Sequence, residues 1–377
     1  MKHQLINNPY NLFFGEILMV KKILGTMLFA LLLTSVSFAS NPGDDGDMGS
    51  SNVPTASPAK VSDNFSLSST LRFRYMVEEP YTKQTSNYFY FQRAYVTMKY
   101  SFNDKIKARL SLDFDHKNRV ALKSTSGSTV LANDGTRARI KYAYLQFSDF
   151  LGIEGVDAVF GNYEQPGPQS YHNTIENCWL DRYYAYGYSS AVTGAMLTYN
   201  FPSKWGYARL AVANMNGYGY AGDDNKAKNI ISDVWVTPPG TGISVFGWTM
   251  MDYYAASDNE AKNTIFGGGA EYAMGKTLDV GVEANFMENS VTEIKGSTFM
   301  GYVNYNVLPE LMLVGQIGQM DNNTDVDDDE LVMILGGLNY QIIGDTHLMF
   351  NVINEGFDVA GESQNNMRYN LQLLINF

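Results

Sequence analysis

Polar and apolar residues alternate along most of the chain from Phe65 onwards. A period of two places successive side chains on opposite faces of a β-strand, so each such segment predicts a strand with one polar and one apolar face. We predict sixteen strands of this kind, near residues 65–76, 88–101, 105–115, 137–148, 156–163, 190–201, 205–216, 228–238, 242–254, 262–274, 277–288, 295–307, 309–320, 330–342, 345–355 and 366–377.

The connections between these predicted strands are alternately short and long. One set consists of turns such as "FND", "MGK" and "IGD", and the other includes residues 116–136 and 164–189. Short periplasmic turns that alternate with longer outer loops are typical of outer-membrane barrels. A soluble β-sandwich has no physical reason to sort its loops by length in this way. The pattern therefore favours an all-β fold, a transmembrane antiparallel β-barrel of about sixteen strands.

The third predicted strand, "KIKARLSLDFD", has the clearest division between its faces. Its polar face carries Lys105, Lys107, Arg109, Ser111, Asp113 and Asp115, and its apolar face carries Ile106, Ala108, Leu110, Leu112 and Phe114. An unpaired charge in a dry core costs several kcal/mol or more, so we expect the polar face to meet water inside the barrel. The eleventh predicted strand repeats this alternation, with Asp279, Glu283 and Asn285 on its polar face.

The last predicted strand, "MRYNLQLLINF", alternates in the same way, with Leu374 as the exception. A closed sheet has no edge, so we expect this strand to pair with the first one and to turn its apolar face to lipid. Tyr369 and the terminal Phe377 lie on that face. A terminal Phe after alternating apolar residues resembles the C-terminal signal that the barrel assembly machinery reads. We therefore expect outer-membrane lipid and this machinery as partners.

The N-terminal region has a different pattern. The segment "MVKKILGTMLFALLLTSVSFAS" contains two lysines, a short apolar run and a small-residue site that ends at Ala39. This pattern predicts a secretory signal peptide; a membrane anchor is the alternative, although the apolar run is about half of the roughly 20 residues that a spanning helix needs. The division we predict is an upstream segment and signal peptide over 1–39, a disordered periplasmic tail over 40–64 and the barrel over 65–377.

Composition narrows the possible functions. The formal net charge is −12 and the isoelectric point is about 4.8, which argue against binding to nucleic acid. A single cysteine, Cys178, excludes an intramolecular disulfide. Barrels of eight strands fill with their own side chains, whereas sixteen to eighteen strands leave an aqueous channel. The expected class is a porin of a Gram-negative outer membrane, with a lumen too polar for an apolar ligand tunnel.

The charges are divided unevenly along the chain. Residues 61–142 contain 14 Lys or Arg and 7 Asp or Glu, a net charge of +7, whereas the residues after 142 contain 9 and 28, a net charge of −19. Ten basic residues on the first four predicted strands form a predicted basic wall of the lumen: Arg72, Arg74, Arg93, Lys99, Lys105, Lys107, Arg109, Arg137, Arg139 and Lys141. Opposite charges across a pore select among ions and dipolar solutes. The alternative is that these charges are neutralised by one another and by water.

The third long connection, "EQPGPQSYHNTIENCWLDRYYAYGYS", is the candidate constriction loop. Glu164, Glu176 and Asp181 are its acidic residues, and its high aromatic content suits a segment that folds into the lumen. An ordinary extracellular loop is the alternative.

Three early segments carry a family resemblance. "FQRAYVTMKYSFNDKIKARLSLDFD", "IKYAYLQFSDF" and "VDAVFGNYEQP" are similar to segments of the phosphate-selective porin O/P family. The resemblance implies a sixteen-stranded channel, a homotrimer and an inward third loop. Where such porins often have basic residues after the strand glycine, this chain has Asn162, Tyr163 and Glu164 after Gly161. This departure leaves phosphate unidentified as the solute, although a ladder of basic residues could still conduct anions.

No pattern in the sequence points to catalysis or to a cofactor. "GYGYAG" has dinucleotide-loop spacing but no helix after it, and "DNNTDVDDDE" lacks the glycine and the closing glutamate of a calcium loop. The prediction is therefore a non-enzymatic diffusion channel for small hydrophilic or ionic solutes, without metal or cofactor. A non-transport barrel, either a surface adhesion scaffold or a hydrolase, is the alternative.

Overall fold

The structure is a computed structural model. It describes residues 59–81, 85–116, 120–123, 129–132, 136–167, 190–214, 228–256, 259–290, 293–321, 323–326, 330–359 and 362–377. The predicted signal peptide lies outside these residues, and so do positions 40–58 of the predicted tail.

The described residues form nineteen strands and two short 3-10 turns, Phe150–Gly152 and Pro202–Lys204. The strands are β1 (Ala59–Ser62), β2 (Phe65–Glu79), β3 (Ser86–Ser101), β4 (Ile106–His116), β5 (Val120–Lys123), β6 (Thr129–Ala132), β7 (Thr136–Phe147), β8 (Val156–Tyr163), β9 (Val192–Asn200), β10 (Gly206–Asn214), β11 (Lys228–Val236), β12 (Ile243–Ala256), β13 (Asn259–Met274), β14 (Leu278–Asn289), β15 (Lys295–Leu308), β16 (Leu311–Asp321), β17 (Glu330–Ile343), β18 (Thr346–Val359) and β19 (Glu362–Asn376). None of the helical segments described is long and apolar enough to cross a membrane.

Sixteen of the strands, β2–β4 and β7–β19, form one closed antiparallel barrel. Each pairs with the next along the chain, and β19 pairs with β2 to close the ring, with Ile375 opposite Leu71 and Gln372 opposite Arg74. The predicted fold class, and the predicted pairing of the last strand with the first, are therefore confirmed. Closure pairs the edges that an open sheet would leave exposed.

The two faces of the barrel strands differ as the alternation predicts. In β14, Val282 points outward and is 60% exposed, whereas its neighbour Glu283 points inward and is 3% exposed. In β4, Ser111 and Asp113 are buried on the inner face. A closed barrel with an apolar exterior satisfies its backbone hydrogen bonds in lipid. The protein is therefore an outer-membrane β-barrel.

The predicted tail needs one correction. Residues 59–62, predicted as disordered, form strand β1, which pairs antiparallel with the start of β2. Asp63 and Asn64 make the turn between the two strands, and both residue types favour turns because their side chains bond to nearby backbone groups. The short strand extends the barrel wall next to β2 without entering the ring.

The loop lengths also need correction. The predicted loop 116–136 contains a hairpin, β5 and β6, in which Val120 lies opposite Ala132. Other outer loops are shorter than expected because the strands continue into them: only residues 257–258 separate β12 from β13, and only 360–361 separate β18 from β19. The long loops are therefore concentrated in the first half of the barrel. We call their side the loop end and the opposite side the turn end.

The C-terminal residue lies at the turn end. The backbone N–H of Phe377 donates to the carbonyl of Ser69 at 3.0 Å, and Ser69 N–H donates to the Phe377 carbonyl at 2.6 Å. The Phe377 side chain is 59% exposed. Its backbone therefore completes the last pairing of the barrel while its ring remains available to lipid or to an assembly partner.

We predict that replacing Phe377 with Asp lowers the yield of folded barrel, because the change removes the predicted assembly signal and places a charge at the lipid interface. The measurement is the fraction of protein in the heat-modifiable band after expression in cells. Phe102→Asp is the matched control, since Phe102 is an exposed aromatic residue at the same end of the barrel. Equal yields for Phe377→Asp and wild type would contradict the predicted role of Phe377 in barrel assembly.

Candidate functional site: the lumen of the barrel

Register brings the basic residues of four neighbouring strands together. Arg72 on β2 lies directly opposite Arg93 on β3, and Lys99 on β3 lies opposite Arg109 on β4. Arg139 on β7 lies opposite Asp113 on β4. The register therefore places these residues at neighbouring positions of four adjacent strands. We keep the name basic wall for this set, whose role in a pore stays a prediction.

Two β-bulges shape this patch. The pairing of β2 with β3 skips Gln92, and the pairing of β4 with β7 skips Lys141. Each bulge shifts the alternation by one residue. As a result, Tyr88 and Tyr90 face the lumen before the first bulge, and Arg93 and Tyr95 face it after the bulge. Strict alternation along the sequence cannot place all four side chains on one face.

Tyr95 lies between two cations of the basic wall. Arg93 donates from Nη1 to the Tyr95 hydroxyl at 2.6 Å, and Lys141 donates to the same oxygen at 3.2 Å. The Lys141 ammonium also lies 4.7 Å from the centre of the Tyr95 ring. Arg93 Nε is 3.8 Å from Asp113 Oδ1; Arg93 is 32% exposed, whereas Asp113 is fully buried.

Two other arginines of the wall are held against tyrosine rings. The Arg109 guanidinium lies 4.5 Å from the centre of the Tyr142 ring, and its Nε donates to Ser111 Oγ at 3.2 Å. Arg74 donates from Nη2 to Gln372 Oε1 on β19 at 2.7 Å and lies 5.8 Å from the Tyr90 ring centre. Cation–π contacts of this kind hold a guanidinium in place without neutralising its charge.

Lys105 does not belong to the wall. It lies in the turn Phe102–Lys105, where Asn103 Oδ1 accepts hydrogen bonds at 2.9 Å from the N–H groups of Lys105 and Ile106. This turn sends the Lys105 ammonium to Asp149 in the neighbouring turn, with Nζ and Oδ2 3.4 Å apart. A hydrogen bond from the Gly155 N–H and the contact with Lys105 lower the pKa of the Asp149 carboxyl. Predicting Lys105 as pore-lining was wrong because β4 begins only at Ile106.

The other predicted site residues lie in several different places, and some lie outside the described residues. Lys107 is exposed on the inner face near the turn end. The backbone of Arg137 belongs to β7, but its side chain lies outside the described residues, as do Glu176 and Asp181. Glu164 is described and exposed. Tyr369 lies on the outward face of β19, as its position in the alternation predicts.

The first residues of the third long connection contact the inner faces of β11 and β12. We call Glu164–Gly167 the stem. Its Gln165 amide donates to the Met250 sulfur on β12 at 3.2 Å, and Gly167 N–H donates to Asp233 Oδ2 on β11 at 3.3 Å. Gln165 and Gly167 are buried. Since β8 is three strands from β11 in the ring, these contacts require the stem to cross the inner face of the barrel.

A buried ion pair anchors the stem. Arg209 on β10 and Asp233 on β11 are directly opposite, and Arg209 Nε donates to Asp233 Oδ1 at 2.8 Å. Arg209 Nη2 also donates to Asp233 Oδ2, the oxygen that accepts from Gly167. An ion pair joined by two hydrogen bonds fixes the orientation of both side chains. Asp233 is thus held in position to bind the stem, a role that no motif in the sequence signals.

The inner face also carries large apolar side chains, beside the polar ones that the sequence predicts. Large apolar side chains cover much of the inner face between β8 and β19, and we call this the apolar wall. One buried cluster contains Phe246, Met300, Tyr302, Val314, Met320, Met333, Leu335, Met349, Ile353 and Leu374. The other contains Val159, Tyr163, Val192, Ala211, Ala213, Ile231, Trp248, Met250, Ile265 and Met287.

Polar groups between these apolar residues bond to one another. Trp248 Nε1 donates to Asn285 Oδ1 at 2.8 Å, and Asn285 donates in turn to Glu283 and Thr298. Tyr302 donates to Asp279 at 2.8 Å. Buried polar groups that are satisfied in this way pack against the barrel wall and do not require water.

Exposure therefore divides the lumen into two sides. Most inner-face residues of β2, β3, β4 and β7 are half-buried or exposed, and Arg93 and Lys107 are among them. Most inner-face residues of β8–β19 are buried, and Met250, Ile231 and Ile353 are fully enclosed. Water thus reaches the basic wall more freely than the apolar wall.

The fold is that of the outer-membrane porins. An anion-selective porin from Comamonas acidovorans aligns with a TM-score of 0.59 at 13% identity, covering 83% of this chain and 99% of that one. The outer membrane channel DcaP of Acinetobacter baumannii aligns at 0.56 and 11% identity, covering 86% and 100%. In-vitro folded OmpT of Vibrio cholerae, in its trimer form, aligns at 0.54 and 13%, covering 83% and 100%. At such low identities the similarity shows the fold alone.

Sequence comparison adds no closer relationship. No protein-family model matches the chain, and no curated protein matches it in sequence. The resemblance to the phosphate-selective porin O/P family therefore stays a prediction, whereas the porin fold is shown by structural similarity.

Proposed function

We propose that the protein is an outer-membrane porin, a passive diffusion channel for small hydrophilic or ionic solutes whose conducting path follows the basic wall. The observation that carries the proposal is the uneven exposure of the lumen. Most residues on the inner faces of β2, β3, β4 and β7 are half-buried or exposed, whereas most of those on β8–β19 are buried. A solute in water therefore meets the basic side.

The charge along this path favours anions. The described inner-face side chains of β2, β3, β4 and β7 include eight cations and two carboxylates, Glu78 and Asp113. The cations are Arg72, Arg74, Arg93, Lys99, Lys107, Arg109, Arg139 and Lys141. A narrow path with low-dielectric walls concentrates this field and raises the local concentration of the opposite charge.

We also propose that the third loop narrows the channel. The contacts of the stem with Met250 and Asp233 support this proposal, because they carry the chain from the rim onto the inner face. Glu164, at the start of the stem, adds a negative charge that acts on Arg209. Glu176 and Asp181 remain proposed members of this constriction.

Two of the similar structures agree with the proposal. One is an anion-selective porin, and another is a trimer form of its protein. We propose by analogy that this chain forms a homotrimer in outer-membrane lipid and that the barrel assembly machinery inserts it. The resemblance to the phosphate-selective porin O/P family makes phosphate one anion to test.

Single-channel recording tests the proposed function. Refolded protein added to one side of a planar lipid bilayer should produce stepwise increases in conductance, because a sixteen-stranded barrel retains an aqueous path. Heat-denatured protein at the same concentration is the control. Protein that runs as the folded band but produces no steps would contradict the proposal.

A further inference from the structure

We infer that the turn between β7 and β8 lies among the phospholipids of the membrane interface and anchors the barrel on that side. The turn comprises residues 148–155 at the turn end of the barrel. Leu151 is 82% exposed and Ile153 is 55% exposed, although both side chains are apolar. The inference concerns the outer surface, so it goes beyond the proposed function and does not depend on conductance.

Backbone hydrogen bonds fix the shape of this turn. Gly152 N–H donates to the Asp149 carbonyl at 2.8 Å, and Ile153 N–H donates to the Phe150 carbonyl at 3.1 Å. Asp149 Oδ1 also accepts from Gly155 N–H at 3.1 Å. The turn therefore holds its apolar residues in one place on the surface, and these bonds would have to break before the residues could fold under the barrel wall.

The neighbouring turns hold this turn from both sides. On one side, the Lys105 ammonium lies 3.4 Å from Asp149 Oδ2, and Ser148 N–H donates to the Lys105 carbonyl at 2.8 Å. On the other side, Asn200 N–H donates to the Gly155 carbonyl at 2.8 Å. The exposed apolar residues thus belong to an ordered structure that is continuous with the barrel wall.

Leu151 has a strained backbone conformation. Its φ of 55° lies in the left-handed region, which a leucine adopts only at a conformational cost. Glycine would fit the same backbone without strain. An apolar side chain gains free energy when an apolar environment removes it from water, so contact with lipid would offset the strain at this position.

Aromatic rings surround the turn on the outer surface of the barrel. Phe150 in the turn lies 6.3 Å from Phe147 and 6.0 Å from Phe160, measured between ring centres. The turn-end parts of the neighbouring hairpins contribute further rings: Tyr100, Phe102, Tyr199, Phe201 and Trp205. Aromatic girdles mark the membrane interface of outer-membrane barrels. Leu151 and Ile153 therefore continue a surface that faces lipid.

Phospholipid is the partner that this surface fits. The membrane interface contains both acyl chains and headgroups, so it can bury the two apolar residues while Glu154, beside Ile153, remains in the headgroup layer. The tips of the two neighbouring turns carry exposed charged residues instead, Asp104 and Lys204. Among these three turns, the one between β7 and β8 is therefore suited to enter lipid.

The test is fluorescence quenching of a label on this turn in phosphatidylcholine vesicles. On a Cys178→Ser background, Leu151→Cys and Ile153→Cys each carry one environment-sensitive NBD group. Ser203→Cys is the matched control, because Ser203 lies at the tip of a neighbouring turn, is exposed and has a φ of 59°. We expect a lipid with a nitroxide near its headgroup to quench the labels at 151 and 153. Aqueous iodide should quench the label at 203 and lose its effect on the other two.

Two results would overturn the inference. Iodide quenching at 151 and 153 that equals the quenching at 203 would show that the turn lies in water. Labels at 151 and 153 that neither quencher reaches would show that protein covers the turn, either a second copy of this chain or another partner. Each variant is first required to run as the folded band, and if Leu151→Cys does not fold, the label at 153 decides the question.

Discussion

Neutralising Arg93, Lys107, Arg109 and Arg139 together is expected to remove most of the anion preference of the channel. At about 10 Å in water each unit charge contributes about 0.4 kcal/mol to the energy of a permeating ion. Four such charges lower the energy of an anion by about 1.6 kcal/mol and raise that of a cation by the same amount, so without screening they change the ratio of anion to cation permeability by roughly two orders of magnitude. Arg93, Arg109 and Arg139 lie on adjacent strands of the basic wall, so their fields add in the same part of the lumen.

The measurement is the reversal potential across a KCl gradient at low and at high salt. The change should be greatest near 0.01 M, where the Debye length of about 30 Å spans the lumen, and small at 1 M, where it is about 3 Å. A matched control removes the same number of charges outside the lumen, at Lys105, Lys204, Lys276 and Lys295. Equal reversal potentials for the two quadruple variants at low salt would mean that the basic wall does not border the conducting path.

Replacing Asp233 with Asn should both destabilise the barrel and release the stem. Arg209 and Asp233 are almost fully buried, and removing one partner of a buried pair leaves a charge that costs about 3–5 kcal/mol. The variant also loses the negative charge that accepts from Gly167 N–H. We expect a lower temperature for loss of the folded band on gels and larger, noisier single-channel currents.

A double variant separates these two effects. Arg209→Met with Asp233→Leu removes both charges, and replacing a buried pair with apolar residues often restores stability. It should therefore recover the folded band at high temperature while keeping the enlarged, noisy current, because the leucine side chain offers no acceptor for the Gly167 N–H. Wild-type currents in the double variant would show that Asp233 does not anchor the stem. If Asp233→Asn were as heat-stable as the wild type, this would contradict the destabilisation expected when Arg209 loses its ion-pair partner.

The strands of this barrel could be predicted closely from the period of two. The predicted segment 156–163 coincides with Val156–Tyr163, and the predicted start at 295 coincides with that of β15. The signal is strong because one face of each strand meets lipid and therefore excludes charge over its whole length. The inward face does not meet lipid, so it can carry polar or apolar residues. The larger errors of the sequence-based predictions concern the residues on that face.

The apolar wall could not be predicted because both faces of its strands are apolar. In β17, the segment Leu331–Leu335 reads "LVMIL", so alternation cannot distinguish the lipid-facing set from the lumen-facing set. Met333 and Leu335 are buried inside, whereas Val332 and Ile334 are exposed outside. The packing of the interior determines which of these residues face inward, and this packing depends on residues that are distant in sequence.

The geometry of the basic wall also depends on features that the pattern does not encode. The bulges at Gln92 and Lys141 each shift the phase of a strand, and they place tyrosines beside arginines. The stem depends on a contact between Gly167 and Asp233, which lie on segments that are not neighbours in the ring. The strands and the charged residues on them could be predicted from the sequence, whereas the ion-pair and hydrogen-bond partners of those residues could not.

The sign of the reversal potential of the wild-type protein at low salt tests the central claim most directly. The whole chain has a formal net charge of −12, so a channel governed by overall charge would prefer cations. A conducting path along the basic wall predicts the opposite sign. Across a tenfold KCl gradient, an ideally selective pore gives about 59 mV. The predicted result is the sign of reversal potential expected for a chloride-selective pore. The sign expected for a potassium-selective pore would contradict the account.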